Sequence, residues 1–203
     1  MEKKKVFFVK LGLELVIVFI GMTLAIFVNN YQNVKDEQKA RLIFFETFLK
    51  ELNNFENSTD ILIKKIDTYL NEFSKEMDQK KRPKLKSIDF SFFSNTLIIG
   101  SAFTEDNFSA IGSKFLSSIS RGTSLIKVIN QKIQNYKRNT AQLLYFQEYK
   151  SDRFYDANNQ LRSEYQWYIN DLKEIVDHLK KFSEMIKKGA LPETKQLIKA
   201  NQL

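Results

Sequence analysis

A chain of 203 residues with 43% hydrophobic and 28% charged side chains has the balance of one modest globular domain, or of an anchor plus one domain, which excludes wholesale disorder. Six glycines and two prolines are too few for a sandwich full of tight turns, and the lack of cysteine excludes disulfides, thiolate zinc sites and cysteine nucleophiles. The net charge of +8 is spread along the chain, which suits solubility and a mild attraction to anionic lipid better than it suits nucleic acid.

Residues 1–10 form a basic N-terminal segment with Lys3, Lys4, Lys5 and Lys10. From Leu11 to Val28 the only charge is Glu14. With Val6–Val9 this run supplies about 20 helical positions, enough to cross a hydrocarbon core of ~30 Å. Residues 6–30 are therefore expected to be a transmembrane helix. A helix buried in a soluble core is disfavoured, because the run is apolar all the way round. A cleavable signal peptide shares the basic start, but this run is long for one and ends in Ile26-Phe27-Val28-Asn29-Asn30 without small residues to fit a peptidase. Glu14 is costly one turn inside a bilayer, and Lys10, four residues earlier, is placed to pair with it while reaching the interface. Gly21 and Ala25 form a small-xxx-small pair that lets another helix approach. Lys10, Glu14, Gly21 and Ala25 are the candidate contacts within the membrane.

Residues 31–189 are expected to form an antiparallel bundle with three long and two short helices, so the fold class is all-α. After the anchor no glycine or proline occurs before Pro83. Leu42, Phe45, Leu49 and Leu52, then Ile63, Ile66, Leu70, Phe73 and Met77, recur at spacings of three and four, with Glu56 and Thr59 as polar residues at core-type positions. The pattern predicts a long helix, ending at Lys80-Lys81-Arg82-Pro83 and continuous with the anchor if nothing intervenes. Its heptad serves either its own bundle or a parallel dimer. Residues 87–103 read as a short helix capped by Ser87 or Asp89, with a strand-like insertion as the alternative. Thr104 followed by Glu105 and Asp106 starts a helix to about Ser118, with a break near Arg121-Gly122. Thr123 or Ser124 opens the next long helix, on the stripe Ile126, Ile129, Ile133, Tyr136, Thr140 and Leu143. The last long helix spans about Ala157 to Lys188, on the 4-3 stripe Leu161, Tyr165, Tyr168, Leu172, Ile175, Leu179, Phe182 and Ile186. Gly189 should stop it and Pro192 prevent its resumption, leaving 190–203 as a short tail.

Chemistry-bearing patterns are sparse. His178 is the single histidine, so no zinc constellation exists with it. Glu72 with Glu76 and Asp152 with Asp156 are carboxylate pairs, but the Glu-x-x-His pairs of di-iron bundles are absent. There is no glycine-rich phosphate loop and no nucleophile elbow. No enzyme and no cofactor is expected. The basic cluster Lys80, Lys81, Arg82, Lys84 and Lys86, and the acid-free run Lys114, Arg121, Lys127, Lys132, Lys137 and Arg138, are candidate surfaces for anionic lipid, nucleic acid or an acidic protein. The simpler reading is a solvated face offset by Glu164, Asp171, Glu174 and Asp177 on the last helix.

Lys10-Leu-Gly-Leu-Glu14-Leu-Val-Ile-Val-Phe-Ile-Gly21, then Leu24-Ala25 and Asn29-Asn30-Tyr31, resembles the start of a family of uncharacterised bacterial single-pass membrane proteins. Ala110-Ile-Gly112 followed by Leu125-Ile126 resembles that family's turn between its middle helices, with a longer interval here. The resemblance implies bacterial origin and an anchored helical domain, and it transfers no functional residue. The expected partners are the lipid bilayer and either another protein or a second copy in a homodimer; nucleic acid is disfavoured. The expected role is a membrane-tethered interaction module, an adaptor, scaffold or sensor domain. A membrane-active effector of the toxin or phage-defence type, acting by oligomerisation of the anchor, is the alternative. Four basic residues before the span against Lys35, Lys39 and Arg41 after it place the bundle outside the cytoplasmic membrane.

Overall fold

The computed structural model describes the backbone of residues 2–92, 113–145 and 151–202. Side chains are described from residue 32 onward in these stretches, except 113, 114, 145, 151 and 152; before residue 32 only Met22, Thr23, Leu24, Phe27 and Asn30 are. Every long element among these residues is helical.

Helix α1 (Glu2–Asp78) is a single helix of 77 residues, about 115 Å long at 1.5 Å per residue. No proline interrupts it before Pro83. It stops through a hydrogen-bonded cap. The Lys80 amide donates to the Met77 carbonyl, and the Lys81 amide donates to that of Glu76. This closure needs a left-handed residue, and Lys80 supplies it at φ 55°. The buried stripe is Phe45, Phe48, Leu52, Phe55, Thr59, Leu62, Ile66, Tyr69 and Phe73. The expected stripe sat one shoulder off: it shares Phe45, Leu52, Ile66 and Phe73, while Leu42, Leu49, Ile63, Leu70 and Met77 are partly buried flanks. Both series keep three-four spacing, so periodicity alone does not choose between neighbouring faces. Thr59 is tolerated in the core because its hydroxyl donates to the Phe55 carbonyl at 2.6 Å. This stripe is buried within the chain's own bundle.

Residues 81–92 are extended, not helical. Ile88, Phe90 and Phe92 are buried while Asp89 and Ser91 are exposed, the period of two that an extended chain imposes. No second strand pairs with the segment among the described residues. The expected short helix fails here, and its remainder, 93–103, lies outside the described residues, as does the expected helix start at Thr104.

Helix α2 (Ser113–Tyr145) runs through the expected break at Arg121-Gly122. Gly122 is there for closeness: a Cβ on it would stand 3.1 Å from Met185 Cε. The same continuity places Leu125-Ile126 inside a helix and not at a turn, while Ala110 to Gly112 lies outside the described residues. The expected stripe from Ile126 to Thr140 is buried, with Leu143 at its edge.

The short helix α3 (Ser151–Phe154) leads into a tight reversal, closed by a bridge between Tyr155 and Leu161. Asp156 shapes it, its Oδ1 accepting from the Asn158 and Gln160 amides at 2.9 and 2.8 Å. Asn159 takes a left-handed φ of 60°, which asparagine tolerates. Helix α4 therefore starts at Trp167, after a 3-10 turn at Ser163–Tyr165, and not at Ala157.

Helix α4 (Trp167–Met185) does not stop at Gly189. A π-turn at Ile186–Ala190 carries it into α5 (Leu191–Asn201). Pro192 sits in the first turn of α5, where its missing N–H costs nothing. The expected tail is thus a packed helix that buries Leu191, Thr194 and Ile198. The apolar spacing of five from Ile186 to Leu191 is the signal for the π-turn, because a wider turn restores the face that a five-residue step would rotate away.

Contacts fix the directions. Phe55 meets Phe182 and Tyr69 meets Tyr168, so α4 is antiparallel to α1. Tyr136 meets Tyr168 and Lys132 pairs with Glu174, so α4 is antiparallel to α2 as well. Phe115 at the start of α2 packs against Phe45 and Phe48, so α1 and α2 are parallel.

Candidate functional site

The basic cluster at the distal end of α1 is divided among structural tasks. Lys80 supplies the left-handed cap. Arg82 donates from Nε to Asn159 Oδ1 at 2.6 Å and from Nη2 to the Asp156 carbonyl at 3.3 Å, and Asn159 Nδ2 donates back to the Lys80 carbonyl at 2.9 Å. This clasp fastens the end of α1 to the 155–161 reversal. Lys86 stands over the Tyr69 ring, 5.0 Å from its centre. Lys81 and Lys84 are exposed. Lys80 and Lys86 are exposed as well, so of the cluster only Arg82 is partly withdrawn from the surface.

The aromatic residues beneath it form a hydrogen-bonded group. The Tyr69 and Tyr168 hydroxyls lie 2.6 Å apart. Tyr168 donates to the Lys86 carbonyl at 2.7 Å and accepts from the Lys86 amide at 3.2 Å. Tyr155 donates to the Pro83 carbonyl at 2.5 Å. Burial raises the Tyr69 and Tyr136 phenols far above their ordinary range, so both stay neutral. This is a structural core with its polar groups satisfied, apart from the Tyr136 and Thr140 hydroxyls, which have no hydrogen-bond partner among the described residues.

Among the described residues, the histidine and carboxylates singled out from the sequence do not come together. His178 Nδ1 lies 2.8 Å from the Glu174 carbonyl, a local contact within α4. Asp156 is committed to its turn, and Glu72 and Glu76 are exposed. No group of three or more His, Cys, Asp or Glu side chains that could hold a metal is found among the described residues.

The acid-free run on α2 faces partners from elsewhere. Lys132 Nζ is 2.5 Å from Glu174 Oε2, and Lys137 Nζ is 3.5 Å from Asp89 Oδ1. Arg121 and Lys127 are exposed. Lys132, Asn135, Arg138 and Asn139 of α2, with Asp171 and Glu174 of α4, line a cleft of about 210 Å³. Burial, and the neighbouring Glu174 charge, push the Asp171 carboxyl above its ordinary range against an opposing pull from Lys132. The hydrogen bond from Lys132 holds Glu174 below its own. Sequence reading found the charged members as an offsetting face; it passed over Asn135 and Asn139, whose three- and seven-residue offsets from Lys132 are the only signal that they share its side of α2.

An apolar hollow of about 40 Å³ lies towards the other end, among Phe48, Phe115, Gly122, Phe182 and Met185. It is too small for more than a methyl group or two. The side chains of Lys10, Glu14, Gly21 and Ala25 lie outside the described residues. Among the described residues no helix is long and apolar enough to cross a membrane. Met22, Leu24 and Phe27 are 63%, 59% and 73% exposed on α1, beyond the reach of the bundle. No family model, curated protein or solved structure matches this chain.

Proposed function

We propose that this chain is a membrane-tethered helical interaction module, an adaptor, scaffold or sensor domain, that works through contacts and not through catalysis. The observation that carries the reading is the division of α1. One unbroken helix runs from Glu2 through the apolar run of residues 6–30 into the bundle, with Met22, Leu24 and Phe27 exposed and covered by no other described element. Large apolar side chains in water are penalised by about 1.5–3 kcal/mol each relative to burial, and lipid removes that penalty. The reading places the bilayer around residues 6–30, and Gly21 and Ala25 on a face open to a partner helix.

The geometry adds a consequence. Asp78, the last residue of α1, lies 48 residues beyond Asn30, about 72 Å along the axis. The reading therefore holds the cluster from Lys80 to Lys86 far from a bilayer placed around residues 6–30.

Full-length protein should remain with membranes through an alkaline carbonate wash; recovery in the soluble fraction would remove the tether. A single cysteine at the exposed Asn158 should then react with an impermeant maleimide in intact cells, placing the bundle outside. Reaction only after lysis reverses the orientation. Gly21→Ile should weaken crosslinked dimers in mild detergent. Growth arrest on expression, relieved by Glu14→Gln, would favour the membrane-active effector instead.

A further inference from the structure

The cleft between α2 and α4 has an entirely polar and charged set of lining residues, and its chemistry is selective. Its volume, about 210 Å³, is below the ~300 Å³ at which pockets for drug-sized ligands begin, so the occupant is small. No apolar side chain lines it, which disfavours an acyl chain or an aromatic ligand. Lys132 and Arg138 repel a bare cation, and Asp171 and Glu174 repel a bare anion.

Two of these charges are already matched, since Lys132 pairs with Glu174. The other two are not. Arg138 has only a 3.4 Å contact to the neutral Asn135 Oδ1, and neither Arg138 nor Asp171 has an ion-pair partner among the described residues. The Lys132–Glu174 pair sets the register of the antiparallel helices, which puts Asp171 level with Asn135. Arg138 is then one turn away along α2, about 4.5 Å by helical rise. The Asn135 and Asn139 carboxamides add donors and acceptors beside them.

We propose that this cleft binds a small zwitterion of the amino-acid class, with the ligand carboxylate on Arg138 and its ammonium on Asp171. Each ionic group of the ligand then meets the cleft charge that has no counter-ion. The planar fork of the Arg138 guanidinium suits a carboxylate, and an ammonium beside Asp171 adds to the partial compensation that Lys132 gives its burial. The inference goes beyond the tethered-module reading: it concerns the bundle alone and stands whether or not residues 6–30 occupy a bilayer.

The test uses the full chain in detergent micelles, titrated with a panel of L-amino acids, acetate and methylammonium. At about 10 mM, ten times a roughly 1 mM dissociation constant, at least one amino acid should raise the unfolding midpoint by about 2 °C or more. Acetate or methylammonium alone should not. By calorimetry Arg138→Gln and Asp171→Asn should each weaken binding at least tenfold, whereas Lys127→Gln, exposed on the same helix, should leave it unchanged. Both cleft variants should fold, as judged by circular dichroism, because Arg138 is exposed and Asp171→Asn removes a charge that burial disfavours. No shift with any amino acid overturns the proposal. So does an equal shift with acetate or methylammonium, or a shift that survives either cleft variant.

Discussion

The two ends of the bundle solve the same packing problem with different chemistry. The distal end adds Tyr69, Tyr136, Tyr155, Tyr168 and Trp167 to the buried Phe73, Phe90 and Phe154, whereas the proximal end is built from Phe45, Phe48, Phe55, Phe115 and Phe182. The reason lies in the backbones each must cover. Proximal to the middle of the bundle most contacts run between helices, whose amides and carbonyls are satisfied within each helix, so phenylalanine edges suffice, and Phe92 of the non-helical segment joins them against Phe182. At the distal end the chain passes through residues 81–92 and the 155–161 reversal, where no helix serves the backbone. Hydroxyls must do it, and Tyr168 and Tyr155 serve Lys86 and Pro83. Where the backbone leaves its helix, the core acquires polar handles.

The comparison can be broken by substitution. The largest loss is expected from Phe182→Ala, since Phe182 is 2% exposed and meets both Phe55 and Phe92 edge-on. Denaturant titration should show about 3–5 kcal/mol, the range for removing a buried aromatic ring. Tyr168→Phe should lose about 1–3 kcal/mol although only an oxygen is removed, because it strands the Tyr69 hydroxyl and the Lys86 amide and carbonyl. The reciprocal exchange sharpens the contrast. Phe55→Tyr adds a hydroxyl to the phenylalanine end and should also cost about 1–2 kcal/mol, by burying a donor with nothing arranged to receive it. If Tyr168→Phe is neutral, the polar account of the distal end fails.

Two changes should stabilise the protein. Lys80→Gly relieves a left-handed residue at the end of α1 and should add about 1 kcal/mol. Gly189→Ala should add about 0.5–1 kcal/mol, because a Cβ there meets nothing within 4 Å and alanine loses less freedom in a helix. A rise in the thermal midpoint measures both, and a fall for Gly189→Ala would show that the π-turn needs its glycine.

Much of the fold was legible in the residues. The stripes from Ile126 to Thr140 and from Tyr168 to Ile186 are buried as their spacing predicts, because a helix that long must hide one face. Errors gathered at punctuation. Gly122 and Gly189 read as stops, yet Gly122 admits Met185 and Gly189 lies within a π-turn, because glycine signals permissiveness without saying what uses it. Of the basic cluster, the sequence shows the charge but not the contacts that tie Arg82 to Asn159 and Asp156. The cleft between α2 and α4 drew on residues more than thirty positions apart, such as Asn135 and Asp171, and no local pattern joins them.

What the sequence determined by itself is the helical class, the apolar run near the N-terminus, and which face of α2 and of α4 turns inward. These follow from composition and a period of 3.6 residues, which are local properties. Tertiary structure alone decided that α1 and α2 run parallel, that residues 81–92 lie extended between helices, and that Arg138 and Asp171 share a cleft. Such outcomes depend on which groups a neighbouring element can satisfy, and that is settled only when the elements meet.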